Sequence, residues 1–329
     1  MTAPLLLTKL SPPPLSARHI PRARARSQVE AHRESRLVLV SAPAGFGKTT
    51  FLAAWAQHER DHGARVAWYA LDSGDNDPTR FAGYLSEAVR RALEPDTDAL
   101  SALTQPTEIE STVALLLNAL ADQPTRCLLI LDDYHLVTAP AIHHAMNTML
   151  EHLPPHVQIA IGSRADPPLQ LARLRARGQM AEIRTRDLRF YEAEIRAFLD
   201  AALQTTITDS EARTLEAATE GWAAALQLIA QSLSHSREPG GRVVIADALA
   251  RFSQAQQHIF DYFAEEVFGQ QPAELQQFLL DTCVLNQLNP EVCAALTGRP
   301  DAPLLLDHLA RSSLFLIAAG LSLIFGVSR

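Results

Sequence analysis

Chemistry is concentrated first in Ala42-Pro43-Ala44-Gly45-Phe46-Gly47-Lys48-Thr49-Thr50. Backbone amides in a glycine-spaced turn can wrap a polyphosphate, the Lys48 ammonium can reach its β and γ phosphates, and the Thr49 hydroxyl can ligate Mg2+. Such loops begin with glycine, whereas this one begins with Ala42. Alanine loses some backbone freedom there, but Gly45 and Gly47, the positions closest to the phosphates, are kept. The plainer reading is a glycine-rich turn between a strand and a helix, and the Gly-Lys-Thr-Thr ending argues against it. A second reactive pair, Asp132-Asp133, follows the apolar run Cys127-Leu128-Leu129-Ile130-Leu131. Asp132 can hold Mg2+ directly or through water and Asp133 can orient an attacking water, unless one of the two simply caps the next turn. A third is Ser163-Arg164, after Val157-Gln158-Ile159-Ala160-Ile161-Gly162. Arg164 can reach a γ-phosphate and so distinguish ATP from ADP, but an exposed loop arginine would look the same in sequence.

These groups need elements to hold them. Leu37-Val38-Leu39-Val40 reads as a buried parallel strand and Phe51-Leu52-Ala53-Ala54-Trp55-Ala56 as a helix, with the loop between them. That strand, loop and helix order is what a phosphate loop requires, since the helix N-terminus adds its dipole to the cradle. A helix from about Arg22 to Arg33 precedes them, after a proline-containing lead-in. Arg65 to Leu71 reads as a strand closed by the turn-rich Asp72-Ser73-Gly74-Asp75-Asn76-Asp77-Pro78. Apolar residues at helical spacing (Phe81, Leu85, Val89, Leu93) predict a helix over 79 to 93, and another spans about 108 to 120. Strands alternating with helices predict an α/β fold, a parallel sheet with helices on both faces.

At 329 residues the chain can form two or three cores, and 47% hydrophobic with 20% charged residues is ordinary for a globular protein. A formal net charge of -8 argues against a protein that coats nucleic acid, because neutralising phosphates takes an excess of Lys and Arg. Cys127, Cys283 and Cys293 show neither disulfide-framework nor zinc spacing, which points to a reduced, cytoplasmic setting. The N-terminus has Arg18, Arg22, Arg24 and Arg26 and no acid before Glu30, as in an organellar transit peptide, but Pro12-Pro13-Pro14 would break the helix such a peptide needs.

Beyond Pro167-Pro168 sheet character fades and helices are predicted over 191 to 203 and 209 to 233. Arg173, Arg175, Arg177, Arg184, Arg186 and Arg189 make a basic patch, facing phosphate, nucleic acid or an acidic partner, or forming a solvated helix face. Ser234 to Gly241 is a linker ending in Glu238-Pro239-Gly240-Gly241. Helices follow near 244 to 268, 272 to 281, 290 to 297 and 302 to 311. The apolar run Leu314 to Val327 is too short to span a membrane, for which about 20 residues are needed, and reads as a buried strand or hairpin.

With these pieces placed, the sequence resembles the N-terminal ATPase module of MalT-like transcriptional activators, regulators with a LuxR-type DNA-binding domain in the STAND class of signalling NTPases. The likeness runs from Lys9-Leu10 to about Phe315-Leu316. It is carried by Ser41 to Thr50, Trp68-Tyr69-Ala70-Leu71-Asp72, Leu131-Asp132-Asp133-Tyr134-His135, Ser163-Arg164 and Gly221-Trp222-Ala223-Ala224-Ala225-Leu226-Gln227-Leu228. It also accounts for Ala42, which those proteins tend to carry. The resemblance implies ATP/ADP and Mg2+ as cofactors, with Lys48 and Thr49 on phosphate and metal, Asp132 on metal, Asp133 as catalytic partner and Arg164 as γ-phosphate sensor. Arg22, in His19-Ile20-Pro21-Arg22, lies where the family has an arginine that touches the nucleotide. The implied domains are a P-loop nucleotide-binding domain over 1–165, a helical lid over 166–237, a winged-helix-like all-α domain over 244–317 and a divergent tail over 318–329.

In this class ADP is buried in a closed monomer, and inducer with ATP favours an open form that self-associates, so the γ-phosphate must favour the open state. Hydrolysis is expected to be slow. Family members continue into an inducer-sensing superhelix and a DNA-binding helix-turn-helix, and Ala318 to Val327 stands where they carry a strand rich in tyrosine and histidine. The sequence reading is therefore of a truncated or altered C-terminus, with no DNA-binding domain in the chain. The competing functions are a stand-alone ATPase acting on another partner and a non-functional remnant of a regulator.

Overall fold

Leu37–Ser41 (β1), Arg65–Ala70 (β2), Cys127–Asp132 (β3), Val157–Ser163 (β4) and Met180–Arg184 (β5) pair in parallel, in the order β2-β3-β4-β1-β5. The computed structural model describes residues 5–93, 108–204, 206–235, 268–269, 271–285, 287–311, 316–319 and 322–325. β1, β3 and β4 are buried along their whole length, as near-continuous apolar runs must be when both faces of a sheet are covered. One face packs on Pro78–Ala92 (α3), Ile109–Ala121 (α4) and Pro140–His152 (α5), whose apolar stripes share a core with Leu39, Tyr69, Leu129 and Ile159. Lys48–Asp61 (α2) lies against β2, β3 and β4. Ala23–Ala31 (α1) packs beside β5. α3 starts where Pro78 follows Asp77, whose carboxylate accepts from the Arg80 amide at 2.7 Å.

The Tyr69-Ala70-Leu71-Asp72 stretch has a structural use. Lys9 lies over the Tyr84 ring, 4.6 Å from its centroid, and its ammonium meets Asp72 at 2.9 Å and the fully buried Asp75. This ion cluster ties the 3-10 turn Leu7–Leu10 to β2.

By its contacts the chain divides into two units, residues 1–17, 21–42 and 48–188, and residues 18–20, 43–47 and 189–329. The expected end of the sheet near residue 165 is corrected: after Leu171–Ala176 (α6), β5 joins β1 in register from Leu37 opposite Met180 to Ser41 opposite Arg184. Met-Ala-Glu-Ile-Arg escapes notice because a strand at the sheet edge carries charge where a central strand is apolar. Thr185–Leu188 (α7) ends this unit.

In the second unit, Glu192–Leu203 (α8), Asp209–Thr219 (α9) and Ala223–His235 (α10) close around Phe190, Ile195, Leu199, Leu215 and Leu226. Thr208 and Glu211 form a capping box at the start of α9. The single helix expected over 209 to 233 is two, because Glu220 and Gly221 take φ of 50° and 70°, which no helix continues through. α10 runs to His235, into the expected linker. The rest of that linker and nearly all of the helix expected over 244 to 268 lie outside the described residues.

The helices Ala273–Thr282, Pro290–Thr297 and Ala302–Arg311 bury Phe278, Cys293, Leu306 and Leu309 together. The all-α description of this region is corrected by a small antiparallel sheet, Gln287–Leu288 (β6), Leu316–Ala319 (β7) and Ser322–Phe325 (β8), in the order β6-β8-β7. A two-residue strand such as β6 has no periodicity to read. No described helix is long and apolar enough to cross a membrane.

Candidate functional site

Because all five strands of the large sheet run the same way, the segments that leave β1, β3 and β4 emerge at one edge, the edge where open α/β sheets bind ligands. After β1, the Ala42 amide donates to the Ser163 carbonyl at 3.3 Å and so prolongs the β1–β4 ladder. Asp133, Gln204 and Glu220 are the non-glycine residues with positive φ among those described, so Ala42 takes a conformation open to alanine. That is why the missing first glycine does no harm. The left-handed positions are Gly45 at 78° and Gly47 at 81°. Ala44 is buried, Pro43 and Phe46 are half-buried, and Thr50 is exposed on the first turn of α2.

Lys48 opens α2 and is buried, 7% exposed. Burial, with a smaller push from Arg164, lowers its pKa from 10.5 to about 8, against the pull of Asp133 and Asp132. The ammonium is held where desolvation outweighs its carboxylate neighbours, as suits a site completed by an anion. Asp132, at the end of β3, is 1% exposed, and burial together with Asp133 raises its pKa to about 6. The Thr49 hydroxyl and the Asp133 amide, 3.1 Å away, hydrogen-bond its carboxylate. The structure thus brings the two proposed metal ligands into contact.

Asp133 turns into the left-handed region, φ 57° and ψ 36°, with its side chain 40% exposed. A carboxylate residue tolerates αL better than most, and the turn is braced from both sides. The Tyr134 hydroxyl meets His143 Nδ1 at 3.1 Å, and Asn76 donates to the Leu136 carbonyl at 2.8 Å while accepting from the Thr138 amide at 2.6 Å.

Arg164 follows the fully buried Ser163, whose hydroxyl donates to the Ala165 carbonyl at 2.5 Å. Its charge depresses both Lys48 and His135, which places the guanidinium on this same edge. Arg22 donates from Nε to the Leu188 carbonyl at 3.2 Å, a contact that anchors the start of α1 to the end of α7. The basic patch is largely neutralised. Arg173 pairs with Glu151 at 2.6 Å and Arg189 with Glu216 at 3.2 Å, and Arg175 and Arg184 both bind Asp166 and Glu182. Of the readings left open for it, paired side chains on a solvated face match these contacts.

Three residues of this region had no role assigned from sequence. Gly162, in β4, leaves room for the Asp132 carboxylate: a Cβ there would lie 2.7 Å from Leu52 Cδ1 and closer still to Asp132 Oδ1. A glycine inside an apolar strand is the signal that could have found it. His135 has both ring nitrogens buried without a hydrogen bond, its Nδ1 3.9 Å from Asp133 Oδ1. Burial, then Arg164 and Lys48, push its pKa down to about 3, so the ring is neutral. Trp222 donates from Nε1 to the Ala44 carbonyl at 3.0 Å, across 178 residues of sequence.

The residues present fit a magnesium nucleotide. Two glycines take the φ a cradle needs, a buried ammonium stands at the start of the helix that follows them, and Thr49 beside Asp132 offers the small oxygen set with which Mg2+ is held when phosphates supply other ligands. No group of three or more His, Cys, Asp or Glu side chains placed to hold a metal occurs among the described residues.

Residues 264–322 match the family model of the MalT winged helix domain. Over 315 residues, 95% of this chain and 34% of the relative, the sequence is 36% identical to the HTH-type transcriptional regulator MalT of Cronobacter sakazakii. Against the same regulator of Vibrio parahaemolyticus it is 36% identical over 284 residues, 85% of this chain and 31% of the relative. The chain therefore spans about a third of the length of the curated relatives it matches. Among solved structures it resembles a Walker-type ATPase of Pyrococcus abyssi, with a TM-score of 0.61 at 10% identity, covering 93% of this chain and 91% of that one. It also resembles a STAND protein with a tetratricopeptide repeat sensor from Pyrococcus horikoshii, with a TM-score of 0.50 at 16% identity, covering 99% of this chain and 43% of that one. At such identities the likeness is one of fold, and that fold is the P-loop ATPase sheet with its helices.

Proposed function

We propose that this chain is the nucleotide-binding switch module of a MalT-type transcriptional regulator, taking ADP or ATP with Mg2+ and hydrolysing ATP slowly. The observation that carries this is the buried Lys48 ammonium beside the Thr49–Asp132 pair, at the C-terminal edge of a parallel sheet. Bound Mg2+ would neutralise phosphate charge between Thr49 and Asp132. Lys48 binds the outer phosphates, Asp133 orients a water and accepts its proton, and Arg164 stabilises charge on the γ-phosphate. His135, kept neutral beside Asp133, leaves that carboxylate as the proton acceptor of the turn.

Similarity to full-length regulators along 95% of the chain supports a signalling role over a metabolic one. In this reading ATP favours a self-associating state and ADP a monomer, in the cytoplasm, where the free thiols of Cys127, Cys283 and Cys293 stay reduced. The reading is tested by isothermal titration of ADP and ATP with Mg2+ into wild type and Lys48→Ala, with sedimentation in each nucleotide. Binding lost in the variant, turnover well below one per second and a larger species in ATP than in ADP are expected. Undiminished affinity in Lys48→Ala overturns the site, and turnover of many per second would favour an ATPase working on another partner.

A further inference from the structure

Two carbonyls of the glycine loop are held from outside it. Trp222 Nε1–H donates to Ala44 O and the Ala224 amide donates to Gly45 O, each at 3.0 Å. The indole is so close that a Cβ on Gly45 would lie 2.5 Å from Nε1 and 2.8 Å from the Ala224 Cβ, so at this position glycine provides space as well as a positive φ. Trp222 is itself firmly aimed. Its own amide donates to Thr219 O at 2.9 Å, and the left-handed Gly221 before it accepts from the Phe190 amide at 2.8 Å.

In a trans peptide the C=O and the following N–H point in opposite directions. Holding the Ala44 carbonyl on the tryptophan therefore turns the Gly45 amide away from it, and holding the Gly45 carbonyl on Ala224 does the same for the Phe46 amide. These are two of the donors a phosphate cradle needs, and orienting them before the ligand arrives removes an ordering cost from binding. We propose that Trp222 is a positioning residue for the phosphate loop: with the Ala224 amide it presets the Gly45 and Phe46 N–H groups for the phosphate chain of a nucleoside di- or triphosphate. The Gly221-Trp222-Ala223-Ala224 break between α9 and α10 thereby sets phosphate affinity without touching phosphate. The inference rests on the phosphate-loop reading of residues 42–50.

The test is titration of ADP and of inorganic tripolyphosphate into the full chain, as wild type, Trp222→Phe, Ala224→Pro and Lys48→Ala. Phenylalanine keeps an aromatic ring and removes the donor. Proline at the second position of α10 removes the other donor where a helix tolerates it. Each of the first two variants is expected to weaken both ligands by the same factor, about three- to tenfold, the loss typical of one neutral hydrogen bond. Equal weakening is the signature, because a purely structural effect on the nucleoside pocket would leave tripolyphosphate unmoved. Tripolyphosphate affinity unchanged in both variants, with Lys48→Ala no longer binding, overturns the positioning role and leaves the site intact. Unchanged affinity in Lys48→Ala as well overturns the phosphate-loop reading on which it rests.

Discussion

Replacing Lys48 by methionine should make the nucleotide-free protein more stable while abolishing its response to nucleotide. The folded chain holds the ammonium at a pKa of about 8 against 10.5 for an ordinary lysine. About 2.5 pH units at about 1.4 kcal/mol each put the cost of that buried charge at roughly 3–4 kcal/mol. The sign follows from linkage: below pH 8 both folded and unfolded chains carry the proton and the full cost applies. Between pH 8 and 10.5 the folded chain releases its proton first and the cost fades, and above 10.5 neither state carries it. Methionine fills the same volume without charge. In the variant Asp132 loses an attractive neighbour, which trims the gain, but with a pKa already about 6 it can take up a proton in compensation. At roughly 2–4 °C per kcal/mol, a rise in Tm of about 5 °C or more is expected at pH 7, shrinking toward pH 10. ADP at a hundred times its dissociation constant should add about 2.7 kcal/mol to wild type and nothing to the variant. Thermal melts at pH 7 and pH 10, with and without ADP and Mg2+, measure all four states. A variant less stable than wild type at pH 7 without nucleotide would refute the buried-charge argument, and equal protection by ADP would refute the assignment of Lys48 to phosphate.

Other residues give further tests. Because Asp132 must be ionised to hold a cation and its pKa stands at about 6, Mg2+-dependent affinity for nucleotide should fall as pH drops through that value, and a titration flat from pH 5 to 8 would contradict its role. Gly162→Ala would drive a methyl group against Leu52 Cδ1 and the Asp132 carboxylate. It should destabilise the fold by about 1–3 kcal/mol and cost Mg2+-dependent binding, as urea unfolding and calorimetry would show. Gly221→Ala puts a Cβ 2.8 Å from the Phe190 nitrogen at φ 70°, so the α8–α10 region should lose protection in hydrogen exchange while α3 to α5 keep theirs. Loss spread evenly over both regions would mean that they unfold as one.

Much of the nucleotide site is legible in the chain because its groups sit in short contiguous runs whose residue types answer to local demands. Gly45 and Gly47 supply positive φ, Lys48 and Thr49 follow at the helix start, and Asp132 ends an apolar strand. The parallel sheet is legible where strands are apolar and central, and lost at β5, where an edge position admits Glu182 and Arg184. A helix pattern over 209 to 233 cannot reveal its own break, since Gly221 is there for the Phe190 backbone packed against it. Likewise a glycine inside the apolar run of β4 is visible in sequence, but not that its missing side chain makes room for a carboxylate from another strand. The glycine loop shows the division most plainly: its own residues determine that amides can gather round a phosphate. Which way the Gly45 and Phe46 amides face was decided only in three dimensions, by Trp222 and Ala224 holding the Ala44 and Gly45 carbonyls. Local sequence sets which conformations a backbone can reach, and selecting one of them takes hydrogen-bond partners that only folding brings near.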